Sequence, residues 1–219
     1  MTKKYSIPFN KRPAYLTNKK VDATGRRYKV PSVTQVLGVI GNPEGLINWA
    51  IRETIKLINW DERQVGDYTE LRDWYADIGT TAHRHMEVLL EKNTPDLLTE
   101  GFDQKLIDAA QNSIGAFELW LERHEVEPLY IEEVLVSDNF ELGGTADLIA
   151  TVDGKVEVID FKTGTKLNKH KLQVAAYFML AQDAGIHVDQ CRMVYGHRNK
   201  KSGDNQLQEV IVYKDEIEE

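Results

Sequence analysis

Asp147, Asp160 and Lys162 are the residues whose types and spacing best suit a reaction. Between the two acids lies Val152-Asp153-Gly154-Lys155. Asp-Gly favours a two-residue type I′ hairpin turn, because that turn needs positive φ at both central positions. With Asp153 and Gly154 there, Val152 faces Lys155, Ile149 faces Val158, and Asp147 faces Asp160. Opposed residues hold their Cβ atoms roughly 5 Å apart on one side of a sheet. Two carboxylates so placed repel by about 3 kcal/mol at an effective dielectric of about 20. A cation between them removes that cost, and an oxygen-rich site suits Mg²⁺ or Mn²⁺. By the period of two, Val156, Val158, Asp160 and Lys162 share one face. Lys162 then points to the same place, where an ammonium lowers the pKa of a metal-bound water or stabilises phosphorane charge. Gly143-Gly144, just upstream, leaves room for a substrate backbone to approach. The competing reading of these residues alone is an ordinary charged surface hairpin.

The surrounding pattern supplies elements to hold them. Residues 1–30 read as a basic, loop-rich arm in which Thr24-Gly25 closes a hairpin before Arg27. Pro31-Ser32 opens a short helix over Val33 to Ile40, with Ser32 or Thr34 as its cap. A second helix is expected over about Glu44 to Asn59. Tyr68 to Lys92 is the strongest helical pattern, with Leu71, Tyr75, Ile78, Ala82, Met86 and Leu89 facing inward. Another helix spans about Phe102 to His124. Strands follow at Leu129 to Ser137, Leu142 to Thr151 and Lys155 to Lys162. A helix over Lys169 to Ala184 then precedes strands at Gln190 to His197 and Leu207 to Tyr213. Helices followed by β-β-β-α-β-β give an α/β (α+β) chain with a central mixed sheet. The expected organisation is one domain over 1–219: the arm 1–30, a mainly helical part 31–126 and a β-sheet core 127–214.

The ordered strings Gly143-Gly144-Thr145-Ala146-Asp147, Glu157 to Gly164 and Gln173-Val174-Ala175-Ala176-Tyr177 resemble the PD-(D/E)XK nuclease superfamily. The likeness is to the branch with the RecB-type nuclease domain, phage exonucleases and the mitochondrial genome maintenance exonuclease. Pro31-Ser32-Val33-Thr34 with Leu37, Gly79-Thr80-Thr81-Ala82-His83, and Glu132 fit the same branch in the same order. The resemblance implies a restriction-endonuclease-like fold, a central mixed sheet flanked by helices, with an N-terminal helical region. It implies a Mg²⁺- or Mn²⁺-dependent deoxyribonuclease, an exonuclease on single-stranded DNA or DNA ends, working in replication, recombination or repair. By the same resemblance, Asp147, Asp160 and Lys162 are catalytic, and His83, Asp147, Asp160 and the Phe161 carbonyl hold the metal. Glu87, one turn from His83, and Glu132 support them, and Gln173 and Tyr177 position the scissile phosphate or Lys162. Arg26, Arg27, Ser32, Thr34, Thr163 and Lys171 are expected to contact DNA. His85 lies on the other side of its helix from His83. A structure-specific endonuclease or junction resolvase, or a non-catalytic DNA-binding module, are the alternatives.

The chain has 219 residues and a net charge of −8, a balance that by itself speaks against a nucleic-acid partner. The distribution says otherwise. Residues 1–29 hold nine basic groups and one acid, Asp22, for a charge of +8, and the remainder carries −16. Lys166, Lys169, Lys171, Arg198, Lys200 and Lys201 cluster after the Asp-x-Lys strand. One cysteine, Cys191, excludes an intrachain disulfide and a Cys-rich zinc or iron–sulfur site. No Gly-x-x-x-x-Gly-Lys-[Ser/Thr] and no His-Glu-x-x-His occurs, so neither ATP-driven unwinding nor zincin chemistry is expected. Met1 to Phe9 lacks the apolar run of a secretory signal, and no stretch reaches the roughly 18 apolar residues of a membrane span. A cytoplasmic protein with no membrane partner is the expectation; oligomeric state is open. Trp49, Trp60, Trp74 and Trp120 are expected in the core rather than against bases.

Overall fold

The structure is a computed structural model and describes residues 14–21, 23–40, 68–91, 103–197 and 207–218. The expected helix over Glu44 to Asn59, Trp49 and Trp60, the first thirteen residues of the arm, and the basic residues Arg198, Lys200 and Lys201 lie outside the described residues. The elements are β1 (Leu16–Val21), β2 (Arg27–Lys29), α1 (Val33–Ile40), α2 (Tyr68–Leu90), α3 (Gln104–Arg123), β3 (Val126–Ser137), β4 (Leu142–Val152), β5 (Lys155–Lys162), α4 (Asn168–Asp183), β6 (Gln190–Gly196), β7 (Leu207–Tyr213) and α5 (Lys214–Glu218). Strands β3 to β7 form a five-stranded sheet in chain order. Only β5 and β6 run parallel, joined by the α4 crossover; the other pairs are antiparallel. The mixed sheet with flanking helices matches the fold expected from the sequence.

Each face of the sheet buries its own core. On one side Ile78, Ala82 and Met86 of α2 and Leu106, Ile114, Phe117 and Trp120 of α3 pack on Leu148, Ile159, Phe161 and Val194. Of the inward stripe read from α2, Ile78, Ala82 and Met86 are buried and Tyr75 and Leu89 pack partly buried against them, while the Leu71 side chain lies outside the described residues. On the other side Val33 and Leu37 of α1 and Val174, Tyr177 and Phe178 of α4 pack on Ile149, Val158, Cys191 and Met193. Trp120 is fully buried and Trp74 packs at the edge of the same core. Helix α3 is capped by Asp103, whose carboxylate accepts the Lys105 N–H. Helix α1 opens with a reciprocal capping box. The Gln35 N–H donates to Ser32 Oγ at 3.1 Å, and the Ser32 N–H donates to Gln35 Oε1 at 2.8 Å.

The described part of the N-terminal arm carries the hairpin expected around Thr24-Gly25. β1 and β2 pair as a small antiparallel hairpin. Asp138 anchors it by accepting the backbone N–H groups of Asn18, Lys19 and Lys20, and Lys20 pairs with Glu141 at 2.7 Å. Tyr15 reaches further, its hydroxyl 2.9 Å from Thr145 Oγ1 on β4.

Candidate metal centre and the superfamily it belongs to

The β4–β5 turn has the expected conformation, with φ of 50° at Asp153 and 83° at Gly154. The register is the expected one from Val152↔Lys155 to Leu148↔Ile159. There the ladder stops. The next β5 amide facing β4, that of Phe161, donates instead to Asp147 Oδ2 at 2.8 Å. The strands part where the two aspartates stand, and the Asp147 carboxylate fills the gap. Its Oδ2 also lies 3.5 Å from His83 Nδ1 on α2. Close approach of α2 is allowed by Gly79, where an added Cβ would stand 3.4 Å from Thr163 Oγ1.

The third strand brings another acid. An extra residue bulges β3 between Pro128 and Tyr130, and the ladder resumes at Tyr130↔Ile149 and runs on through Ile131↔Leu148 and Glu133↔Ala146. Glu132 thus stands across from Asp147, in the left-handed region with φ of 50°. That conformation costs a non-glycine residue of order 1 kcal/mol or more. Ligand atoms of His83, Glu132 and Asp147 all lie within 4.8 Å of one another. Glu87 and Phe161 line the same small cavity, and Glu87 is ion-paired to Arg84. The sequence reading gave Glu132 a supporting role; the bulge and the turned backbone place it among the candidate ligands.

Asp160 sits beside this cluster and is fully buried. Lys162 Nζ lies 2.6 Å from its Oδ2, and neither carboxylate oxygen receives a regular hydrogen bond. Burial pushes the Asp160 carboxyl above its ordinary range, against the pull of Lys162 and with the help of Asp147. Burial disfavours the Lys162 ammonium, yet Asp160 and Asp147 overcome it and raise its pKa. The two carboxylates therefore favour the ammonium form of Lys162. The Glu132 carboxyl is pushed up to about 8, first by surrounding protein and then by Asp147, Glu87 and Asp160. The residue is exposed, so solvent screening moderates that rise. Two acids and one imidazole with converging ligand atoms, and Asp160 beside them, form a donor set that fits a divalent cation. The second Asp160 oxygen, Oδ1, fits it too, because an ion satisfies what no protein donor does.

The other expected site residues fall in three groups. Gln173 and Tyr177 meet each other, with Gln173 Nε2 donating to the Tyr177 hydroxyl at 3.0 Å, and Tyr177 is buried. Burial raises the Tyr177 phenol, so it stays a neutral hydroxyl. Ser32 is engaged in the α1 cap with Thr34 Oγ1 3.0 Å away, Thr163 packs under Gly79, and Lys171 lies 3.8 Å from Glu216 of α5. Arg26 and Arg27 are exposed on the β1–β2 hairpin. His85 turns away to Glu118 of α3 at 3.2 Å. The reading of Gly143-Gly144 as a substrate approach is corrected. A Cβ at Gly143 would lie 2.5 Å from the Tyr15 ring, and one at Gly144 2.5 Å from Tyr177 Cε1. The space is filled by the protein's own tyrosines. Sequence reasoning missed Tyr15, His170 and Tyr195, each joined to the site region by a contact distant in sequence.

Strand-borne acids, an Asp-x-Lys strand and a helix-borne histidine meet at the sheet opening as a candidate metal centre. Residues 49–219 match the PD-(D/E)XK nuclease superfamily, and the chain belongs to it. Nucleases of that superfamily act on nucleic acid and generally use a divalent metal. No curated protein matches the chain. A solved structure titled "Crystal structure of SSO0001" is similar at 18% identity and a TM-score of 0.33, over 62% of this chain and 66% of that one. Among the described residues no helix is long and apolar enough to cross a membrane.

Proposed function

We propose that this nuclease is a DNA exonuclease acting on single-stranded DNA or DNA ends, in the branch with RecB-type domains and phage and mitochondrial exonucleases. The observation that carries the reading is the meeting of His83, Glu132 and Asp147 beside a buried Asp160–Lys162 pair. Asp147, Asp160, Glu132, His83 and the Phe161 carbonyl would hold Mg²⁺ or Mn²⁺. The ion supplies Lewis-acid stabilisation and an activated water when bound. Lys162 holds a positive charge where negative charge develops on the phosphate. The Phe161 amide fixes the Asp147 carboxylate, and His83 orients from α2. Gln173 and Tyr177 hold the α4 side, and Glu87 is positioned by Arg84.

The arm grips phosphates in this reading. Arg26 and Arg27 sit on the β1–β2 hairpin, which Tyr15 ties to Thr145, two residues from Asp147. The whole chain 1–219 then acts as one domain in the cytoplasm, in DNA replication, recombination or repair. End-labelled single- and double-stranded DNA and single-stranded circles, each with Mg²⁺, Mn²⁺ or EDTA, test it. Ends are expected to be degraded with metal and the circles to survive. Cutting of circles would replace the exonuclease reading with the endonuclease one.

A further inference from the structure

On the α4 side of β5 stands a pair that none of the roles above uses. The parallel ladder aligns Lys162 with Tyr195 and Asp160 with Met193, so these four side chains share one face. Tyr195 is 1% exposed and His170, on the first turn of α4, is 7% exposed. Their rings are 5.8 Å apart and tilted by 32°. His170 Nδ1 lies 3.1 Å from the Tyr195 hydroxyl, which donates to Met193 Sδ at 3.4 Å. A hydroxyl has one proton, so the His170 bond then runs from Nδ1–H to the phenolic oxygen. Lys166 Nζ covers the ring face at 5.7 Å from its centroid. The ring is held at its hydroxyl end by two partners and on its face by a third.

Lys162 is the opposite in kind. Its stem has four rotatable bonds, and the ammonium must stay 2.6 Å from Asp160. A rigid neighbour on the same face limits the rotamers open to that stem. We propose that Tyr195, fixed by His170, is a positioning residue that walls Lys162 so that its ammonium stays on Asp160 during phosphodiester cleavage. The proposal rests on the nuclease reading. His170 suits the task because burial, with the charges of Lys162 and Lys169, lowers its pKa to about 4. The ring therefore adds no like charge beside the lysine.

Single-turnover cleavage by Tyr195→Leu and His170→Leu tests this, alone and in a Lys162→Ala background. Each single variant should lose about tenfold to a hundredfold in kcat with KM unchanged, as a misplaced catalytic group does. His170→Gln, which keeps a donor for the phenolic oxygen, should restore most of the rate. In the Lys162→Ala background neither substitution should have a further effect. Unchanged kcat in Tyr195→Leu, or an equal loss with Lys162 absent, would overturn the proposal. A second readout is independent of cleavage: the Lys162 ammonium, followed by ¹H–¹⁵N NMR in metal-free protein. It should be protected from solvent exchange in the native chain and unprotected in Tyr195→Leu; equal protection in both would also overturn the proposal. Should the native chain cleave nothing with any metal, the nuclease reading fails, and the ammonium signal still decides the positioning role.

Discussion

Strand β5 buries two acids completely, Glu157 near one end and Asp160 near the other, and they are treated in opposite ways. Glu157 takes two hydrogen bonds from Arg192, at 2.6 and 2.9 Å, and a third from Gln190 at 2.6 Å. Arg192 also pairs with Glu209, which accepts from Trp120 and meets His124. His124 in turn holds Asp153 of the β4–β5 turn at 2.6 Å. Every charge at that end is answered by a protein group. At the other end Asp160 has one close cation and no regular hydrogen bond, with Asp147 and Glu132 crowded nearby. A buried carboxylate left so incompletely satisfied costs stability. One end locks the register of the hairpin; the other spends that rigidity on holding like charges together.

The largest way to break the comparison is Asp160→Asn. Cleavage should fall by about 10⁴-fold, or ~5 kcal/mol in the barrier, as for one member of a group that acts as a unit. The melting temperature without metal should fall less than in Arg192→Leu, since a poorly satisfied buried charge is gone and Lys162 keeps Asp147 as a counter-charge. Cleavage assays with a melting curve on the same sample check both; retained cleavage would remove Asp160 from the centre. Arg192→Leu should do the reverse. It strands Glu157 and Glu209, costing about 3–5 kcal/mol in urea unfolding, while the folded fraction keeps its metal dependence.

Divalent ions sharpen the contrast. At a hundredfold excess over its dissociation constant, Mn²⁺ should stabilise the native chain by about 2.7 kcal/mol, or roughly 5–10 °C in melting temperature. Glu132→Gln or Asp147→Asn should cut that shift to a fraction. Glu209→Gln, at the answered end, should leave it intact. Calorimetric melting with and without metal reads it, and an equal shift in all variants would place the ion elsewhere.

How much of this the sequence carries depends on range. The Asp153-Gly154 turn is local chemistry, and it set the register of the β4–β5 hairpin through Leu148↔Ile159. The bounds of β5 and β7 followed from apolar runs ending in charge and turn residues. Glu132 was harder, because its place depends on a bulge at Leu129 and a turned backbone, which no local pattern announces. Gly143 and Gly144 were misread for a related reason. A glycine signals close approach, and the approaching group, Tyr15 or Tyr177, lies far away in sequence. The pairing of Lys162 with Tyr195 needs the parallel register across the α4 crossover, which spacing alone does not fix.

The two ends should also answer pH with opposite sign. Burial works against the Glu209 charge, but hydrogen bonds from Arg192 and His124 hold its carboxyl below the usual 4.5. A depressed acid contributes stability that is present above pH 4.5 and lost as pH falls through the lower, folded value. Glu132 is raised from 4.5 to about 8, so between those values the folded chain holds more protons than the unfolded one. Stability from that residue therefore declines as pH rises from 4.5 to 8. In EDTA, Glu132→Gln should gain on the native chain in melting temperature across that window and match it below pH 4.5. Glu209→Gln should be the less stable variant at neutral pH and close the gap in acid. Parallel melting curves from pH 3 to 9 compare them directly. If both variants followed the native chain at a constant offset, neither carboxylate would be titrating as its surroundings require.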